Sequence, residues 1–508
     1  MNICLLNDSF PPVIDGVANV VMNYASVLSK DLGSNVVVGT PRYPGVTYDG
    51  YPYKVVAYPS FDTTDFVKGY RTGNPLSVVE IAQLSESKPE IIHTHCPAAS
   101  TIMARILRKQ TGAPIVFTYH TKFDVDIARA VGEGFLKKET IKTMVSNIEA
   151  CDDVWVVSEG AGDNLRSLGY EGEYRVMPNG VDFPKGRVAD DKVKEVTAPY
   201  DIPEGMPVYL FVGRLMKYKG LPLIIEALTL LSKKNIEYRM IFVGGGADAN
   251  EMQQLVKEKG IPLDVYDGGE KKDSFEGLEG MTGKVIFVGA EHDRERLKAW
   301  NTRADLFLFP SVYDTNGIVV REAAACGLAS VLIRNSCAAE GITDGRNGFI
   351  IDETSEAMAA VLEKTSKNLP FLHQVGQHAM DEIYISWDSA VRLAYDRYKE
   401  IRKMVENGEL GIRKHQSFEY LMNSAAVVMN GTRKVFVEKP RTIYDGMRDN
   451  FQEVRDNLED FRDNLQGEWK EMRNDFKGNV SDIKSNLTDG IEKIKDSIVE
   501  GIDKFSDI

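Results

Sequence analysis

Cysteine is scarce in this chain: five residues among 508, widely spaced, with no C-x-x-C pattern. That excludes a disulfide-stapled scaffold and a thiolate zinc site, and the expected setting is the reducing cytoplasm. Positive charge is short as well. Lys and Arg number 61 against 75 Asp and Glu, a net charge of -14, which argues against non-specific nucleic-acid binding. No stretch reaches the roughly 18 uninterrupted apolar residues of a spanning helix, so any membrane contact is expected to be peripheral. The opening "MNICLLNDSFPP" has no basic region followed by a long apolar run, and no signal peptide is expected there.

What is present is ordinary core material, 43% hydrophobic and 27% charged, in a chain long enough for several domains. "NICLLN", "NVVVGT", "PEIIHTH", "APIVFTYH" and "DDVWVVS" read as strands. Each is continuously apolar rather than alternating, as a parallel sheet covered on both faces requires. "GVANVVMNYASVLSKDLG" between the first two reads as a helix with a glycine stop. This predicts a doubly wound α/β domain over 1–183. A polar stretch with Pro184, Pro199 and Pro203 predicts a linker over 184–205. Strand–helix alternation then restarts with "PVYLFVG", "YRMIFVGGG", "KVIFVGA", "ADLFLFP" and "ASVLIR". That predicts a second doubly wound domain over 206–382, a closing helix over 383–401 and a helical connector over 402–440. Two such domains imply a cleft, where ligands commonly sit.

From Tyr444 onward the apolar positions step by 3 and 4 as a heptad up to Phe461, and then by 4, 4 and 3 through to Phe505. An eleven-residue repeat of this kind keeps one apolar stripe on a nearly straight helix. The tail at 441–508 is therefore expected to be one long amphipathic helix. It carries 11 basic and 17 acidic residues. Its aromatic residues suit a membrane interface. Its charge suits a helical self-association arm, and both expectations stand.

The segment "SVYDTNGIVVREAAACG", Ser311 to Gly327, places Asp314 and Glu322 on either side of a glycine at a helix start. The first N–H groups of a helix lack partners, and its dipole favours an anion. Carboxylates accept hydrogen bonds from sugar hydroxyls. Phosphate and polyhydroxyl groups together describe a nucleotide sugar.

This segment resembles the Glu-x7-Glu region of the retaining GT-B glycosyltransferases of family 4, with Asp314 where the first Glu is usual. "LFVGRLMKYKGLPLIIEAL", "VMPNGVDF", "FPPVIDGVANVV", "VFTYHTKFD" and "VSEGAGDNL" resemble further segments of that family, so the resemblance spans roughly residues 1–401. It implies two Rossmann-like domains and transfer of a hexose from a nucleotide sugar, by family frequency UDP-glucose, to a hydroxyl with retention. It implies that Arg214 and Lys219 grip the donor diphosphate, that Asp314 contacts the sugar and Glu322 the ribose, and that His120 lies near the reacting centre. Donor contacts are also implied at Gly16, Asn316, Gly317, Ile318 and Val319. No essential metal or other cofactor is expected: "DVD" at Asp124–Asp126 lies in the other half from the donor motifs and is read as incidental. The "TYHTKFD" loop resembles that of bacterial diacylglycerol glucosyltransferases and sulfoquinovosyl-lipid synthases. This points to a lipid acceptor at the inner face of the membrane, with a soluble or polysaccharide acceptor as the alternative. A non-catalytic sugar-nucleotide-binding scaffold is the alternative of another class. His93 and His95, on one strand face, are read as structural. The glycine run Gly244–Gly246 is weak evidence for a phosphate loop, and Cys326 is read as core.

Overall fold

The computed structural model describes residues 1–13, 15–62, 71–124, 127 and 134–410. The tail at 441–508, most of the connector and Asp126 of the "DVD" run lie outside the described residues. Met1–His415 form one compact unit.

The two predicted doubly wound domains are present within it. The first is a seven-stranded parallel sheet in the order Lys54–Tyr58, Asn35–Pro41, Asn2–Leu6, Ile91–Thr94, Ile115–Tyr119, Asp153–Val156, Arg175–Val176. The second has eight strands: Glu270–Phe275, Leu263–Asp267, Lys284–Gly289, Arg239–Val243, Val208–Val212, Leu306–Phe309, Ser330–Ile333, Phe349–Ile351. Its pairings are parallel apart from the antiparallel pair Leu263–Asp267 with Glu270–Phe275. The central strands are buried along nearly their whole length, which is why they read as unbroken apolar runs. In each sheet the order reverses beside the first strand of its domain. There, Asn2–Leu6 lies between Asn35–Pro41 and Ile91–Thr94, and Val208–Val212 lies between Arg239–Val243 and Leu306–Phe309. Those reversals open crevices at the carboxyl ends of the strands.

The stretch predicted as a linker is not merely polar connection. It contains the helix Asp190–Thr197, whose Val193 and Val196 are buried in the second core with Tyr200. Proline spacing overrode the one apolar face that eight residues display.

The chain crosses between domains twice. Val181 N–H donates to the Ile385 carbonyl at 3.0 Å, and Val181 bridges to Ser386. After the second crossing the helix Trp387–Glu406 returns to the first domain, started by Ser386, whose side chain caps Ser389 N–H. Trp387, Val391, Ala394, Tyr398 and Ile401 belong to the first core. Arg397 clamps Asp153 through two contacts of 2.9 Å. The last described helix is therefore a structural part of the domain that begins the chain. Among the described residues no helix is long and apolar enough to cross a membrane.

Candidate functional site

The second-domain wall of the cleft is built by two loops that flank the sheet reversal. Val208–Val212 leads through Gly213 and Arg214 to the short turn Lys217–Lys219 and then to the helix Leu221–Ser232. The adjacent strand Leu306–Phe309 leads through the 311–316 loop to the helix Ile318–Ala325. The glycine run predicted as a weak phosphate-loop candidate has a packing reason. Gly244 has φ +145°, and a Cβ there would sit 2.0 Å from the Gly213 carbonyl oxygen. Leu215 N–H donates to the Gly245 carbonyl at 2.9 Å. The run lets two backbones touch and so fixes the loop that carries Arg214.

Lys219 is part-buried and ion-paired with Asp314. The second carboxylate oxygen of Asp314 accepts from Ser311 Oγ at 2.5 Å. The Lys219 ammonium lies 5.6 Å above the Phe309 ring. Arg214 is exposed and donates to Tyr218 Oη at 3.1 Å. The structure thus brings Arg214, Lys219 and Asp314 into one patch, with the acid neutralising the lysine.

Gly317 starts the helix Ile318–Ala325 in the left-handed region, φ +59°, and a Cβ there would meet Ala338 at 2.9 Å. Ala338 and the turn both require glycine at this position. No side chain caps this helix, so the N–H groups of Ile318 and Val319 are left for a ligand or water. The Asn316 amide just before it is 8% exposed, and both its polar atoms are buried without a partner. Such a group costs free energy until something satisfies it. Glu322, one turn on, is also 8% exposed and is paired with Arg294. Burial pushes the Glu322 carboxyl above its usual range, while the adjacent Arg294 pulls it down.

The first-domain wall is of a different kind. Gly16 begins the helix Gly16–Lys30, where Asp15 caps Ala18 N–H at 2.7 Å. Nothing lies within 4 Å of a Cβ built on Gly16, which therefore faces open space. His120 is buried, and its Nε2 is 3.0 Å from His95 Nδ1. Its Nδ1 is buried without a partner. Burial pushes the His120 imidazole down to about 3, so it is neutral at physiological pH. His93 is bonded on both sides, to Tyr398 Oη at 2.5 Å and Thr118 Oγ1 at 2.7 Å.

The two walls touch through the 311–316 loop. Thr315 Oγ1 donates to the His120 carbonyl at 2.5 Å, Ser158 Oγ donates to the Thr315 carbonyl at 2.5 Å, and Lys122 Nζ donates to the Val312 carbonyl at 3.3 Å. Glu340 from the second domain accepts from Glu159 and Gly160 N–H at 2.8 and 2.7 Å, at the start of the first-domain helix Glu159–Ser167. His120 and Asp314, far apart in sequence, are in this way held by neighbouring loops. Sequence reasoning gave no role to Arg294, Asp182, Thr315 or Ser311, and read His95 as structural without its bond to His120. Among the described residues no group of three or more His, Cys, Asp or Glu is placed to hold a metal ion. An open depression of about 360 Å³ at the double crossing, lined by Asn23, Asp182, Phe183, Tyr384 and Trp387, contains none of the predicted donor residues.

Comparison with known proteins supports the same division. Residues 193–381 match the family Glycosyl transferases group 1, and residues 14–184 match Glycosyltransferase Family 4. The chain is 27% identical over 356 residues to the sulfoquinovosyl transferase SQD2 of Arabidopsis thaliana, covering 67% of this chain but only 61% of that protein. It is 22% identical over 376 residues to the alpha-monoglucosyldiacylglycerol synthase of Acholeplasma laidlawii, covering 70% and 86% of the two chains. A D-inositol 3-phosphate glycosyltransferase of Nocardioides is 25% identical over 329 residues, covering 62% and 68%. Among solved structures, Anabaena Alr3699/HepE in complex with UDP superposes with a TM-score of 0.61 at 17% identity, covering 79% of this chain and 100% of that one.

Proposed function

We propose that the chain is a glycosyltransferase drawing on a nucleotide sugar, a reading supported by the two family matches and the GT-B fold, and that it moves a hexose from UDP-glucose to a hydroxyl of diacylglycerol with retention at the anomeric carbon. The observation that carries the reading is the convergence at one sheet reversal of Arg214, Lys219 and an uncapped helix start at Gly317. Such a set suits a departing nucleoside diphosphate. A guanidinium, an ammonium and free N–H groups all stabilise the negative charge that develops as the anomeric carbon–oxygen bond breaks. In the proposed step the acceptor oxygen forms its bond to the anomeric carbon on the face the diphosphate leaves. The acceptor's proton passes to a phosphate oxygen of the leaving group. Asp314 and the neutral His120 orient the hexose, and Glu322 accepts from the ribose hydroxyls. Retention through an enzyme nucleophile calls for two close carboxylates, whereas Asp314 is engaged by Lys219 and Ser311.

The lipid acceptor draws support from the two relatives named for sulfoquinovosyl and glucosyldiacylglycerol chemistry. A soluble acceptor is the second reading, favoured by the inositol-phosphate relatives. Release of the nucleoside diphosphate from UDP-glucose, ADP-glucose and GDP-mannose is to be measured with diacylglycerol vesicles and, separately, with soluble sugars and inositol phosphate. We expect release to require diacylglycerol and to survive chelation of divalent metals. Release with soluble acceptors alone overturns the lipid reading. Loss on chelation overturns the metal-independent step, and no release with any pair leaves a sugar-nucleotide-binding scaffold as the function. Vesicle sedimentation of the full chain against a chain ending at Pro440 tests whether 441–508 binds lipid or self-associates.

A further inference from the structure

Arg294 lies outside the motif segments quoted from the sequence, yet it is the side chain that engages Glu322. It opens the helix Arg294–Arg303, whose start is fixed by Asp293: its carboxylate accepts from Glu295 and Arg296 N–H at 2.8 and 3.2 Å. Three groups surround the guanidinium. Its Nη2 is paired with Glu322 Oε1 and lies 3.6 Å from Asp182 Oδ2, and its carbon sits 4.4 Å over the Phe183 ring. Asp182 and Phe183 belong to the segment that carries the chain from the first domain into the second. A guanidinium is flat, so a ring beneath it fixes its plane and carboxylates at its edge fix its rotation. The Arg294 side chain is 44% exposed and that of Glu322 10%, so the arginine lies on the solvent side of the acid.

A carboxylate taken out of water does not stay ionised without a partner. It also has more acceptor positions than one arginine nitrogen fills. Among the described residues no donor engages Glu322 Oε2. We infer that Arg294 is a positioning residue for nucleotide recognition: by holding Oε1 it keeps Glu322 ionised and turns Oε2 toward the ribose hydroxyls of the donor. The same contact ties that carboxylate to Asp182 and Phe183 at the domain crossing. The inference rests on the reading of Glu322 as the ribose acceptor. The charged groups acting on Glu322 are Arg294, from the neighbouring helix, and Asp182, from the crossing segment, and on its own helix Glu322 acts on the Cys326 thiol.

The test is calorimetric titration of the full chain with UDP, ADP and GDP and with their 2′-deoxy and 3′-deoxy counterparts, between pH 6 and 8. The wild type is expected to prefer the ribose form of its best diphosphate about tenfold, as a lost bond to a charged group predicts. Glu322→Gln abolishes that preference. Arg294→Met abolishes most of it, the loss deepening toward pH 6 as the unpaired carboxyl takes up a proton. Combining the two is no worse than Glu322→Gln alone. Arg294→Lys, which keeps the charge and loses the flat fork, recovers part of the preference without the pH dependence, and it replaces the Met variant if that fails to fold. Preference lost in Glu322→Gln but intact in the Arg294 variants at every pH overturns the role of Arg294 and leaves Glu322 standing. Preference absent from the wild type, or untouched by Glu322→Gln, overturns the ribose reading and this inference with it.

Discussion

The two walls of the cleft use opposite electrostatics. The second-domain wall is charged and paired: Lys219 with Asp314, Arg294 with Glu322, and Arg214 exposed beside them. The first-domain wall is backed by buried imidazoles: the His93 and His95 rings lie tilted at 4.0 Å between centroids, His120 stacks on His95 at 5.2 Å, and burial pushes all three below their usual range. Under the proposed function the difference has a reason. A leaving diphosphate needs compensating positive charge, and ion pairs store that charge in a cleft until the ligand competes for it. An acceptor hydroxyl and a hexose need hydrogen-bonding groups of fixed orientation, and the neutral His120, whose Nδ1 has no partner and whose ring is fixed by His95, supplies one without attracting phosphate to the wrong side.

Removing the stored charge is the strongest way to break the contrast. Lys219→Ala is expected to lower turnover at least about a hundredfold, the scale of losing one group that stabilises developing charge. Thermal unfolding should shift little, because its ion pair is partly exposed and lies outside the hydrophobic core. Arg214→Ala should follow with a smaller loss, since its guanidinium is exposed and adapts. Turnover near normal in Lys219→Ala removes the second wall from the chemistry.

The neutral wall is sharpened by pH. A histidine with a depressed pKa in the fold takes up its proton more readily when unfolded. Stability is therefore complete above the ordinary histidine value near 6.5 and is lost as pH falls below it, toward the folded-state value, about 3 for His120. Each such residue contributes a slope of up to about 1.4 kcal/mol per pH unit in that window. The melting temperature is expected to fall steeply from pH 6.5 to 5, and His120→Asn is expected to make the descent shallower. The pH–rate profile between 6 and 8 should show no inflection from His120. A descent as steep in His120→Asn as in the wild type means that this imidazole is not held neutral by the fold.

The second-domain wall was the more legible of the two in the sequence, and for a physical reason. The strands of both domains read as unbroken apolar runs, but in the second the chemistry-bearing residues stand in the loops that follow those runs along the chain, as with Phe211 to Lys219 and Phe309 to Glu322, rather than in contacts between strands. The His95–His120 contact depends on the lateral register that sets His93 beside Val116 and Thr94 beside Phe117, which periodicity along one strand does not encode. Arg294 was hidden for the same reason: no motif marks "RERLKAWNTR" in the sequence, and only the packing of the helix Arg294–Arg303 against the helix Ile318–Ala325 brings it to Glu322. The hairpin Leu263–Phe275 was passed over although Asp267, Gly268 and Gly269 form its turn, with both glycines at positive φ. Its outer strand "EKKDSF" is charged, as an exposed sheet edge demands, and offers no apolar pattern to read.

The finest test concerns Asp314, where the resembling family has the longer acid. In this structure Asp314 spans Lys219 and Ser311, so an incoming diphosphate must share the ammonium with it. Asp314→Asn takes away the competing charge and leaves a hydrogen-bonding group of the same size. Binding of UDP is then expected to tighten about three- to fivefold, the range of a partly exposed ion pair, while turnover falls because the sugar loses a charged acceptor. Asp314→Glu keeps the charge and adds one methylene. It should leave UDP affinity within about twofold of the wild type, since such a pair is worth little either way. Weaker UDP binding in Asp314→Asn contradicts the idea that this acid restrains Lys219. It makes Asp314 instead part of the scaffold that holds the lysine in place, and the charged wall then becomes a preformed grip rather than one the ligand must win.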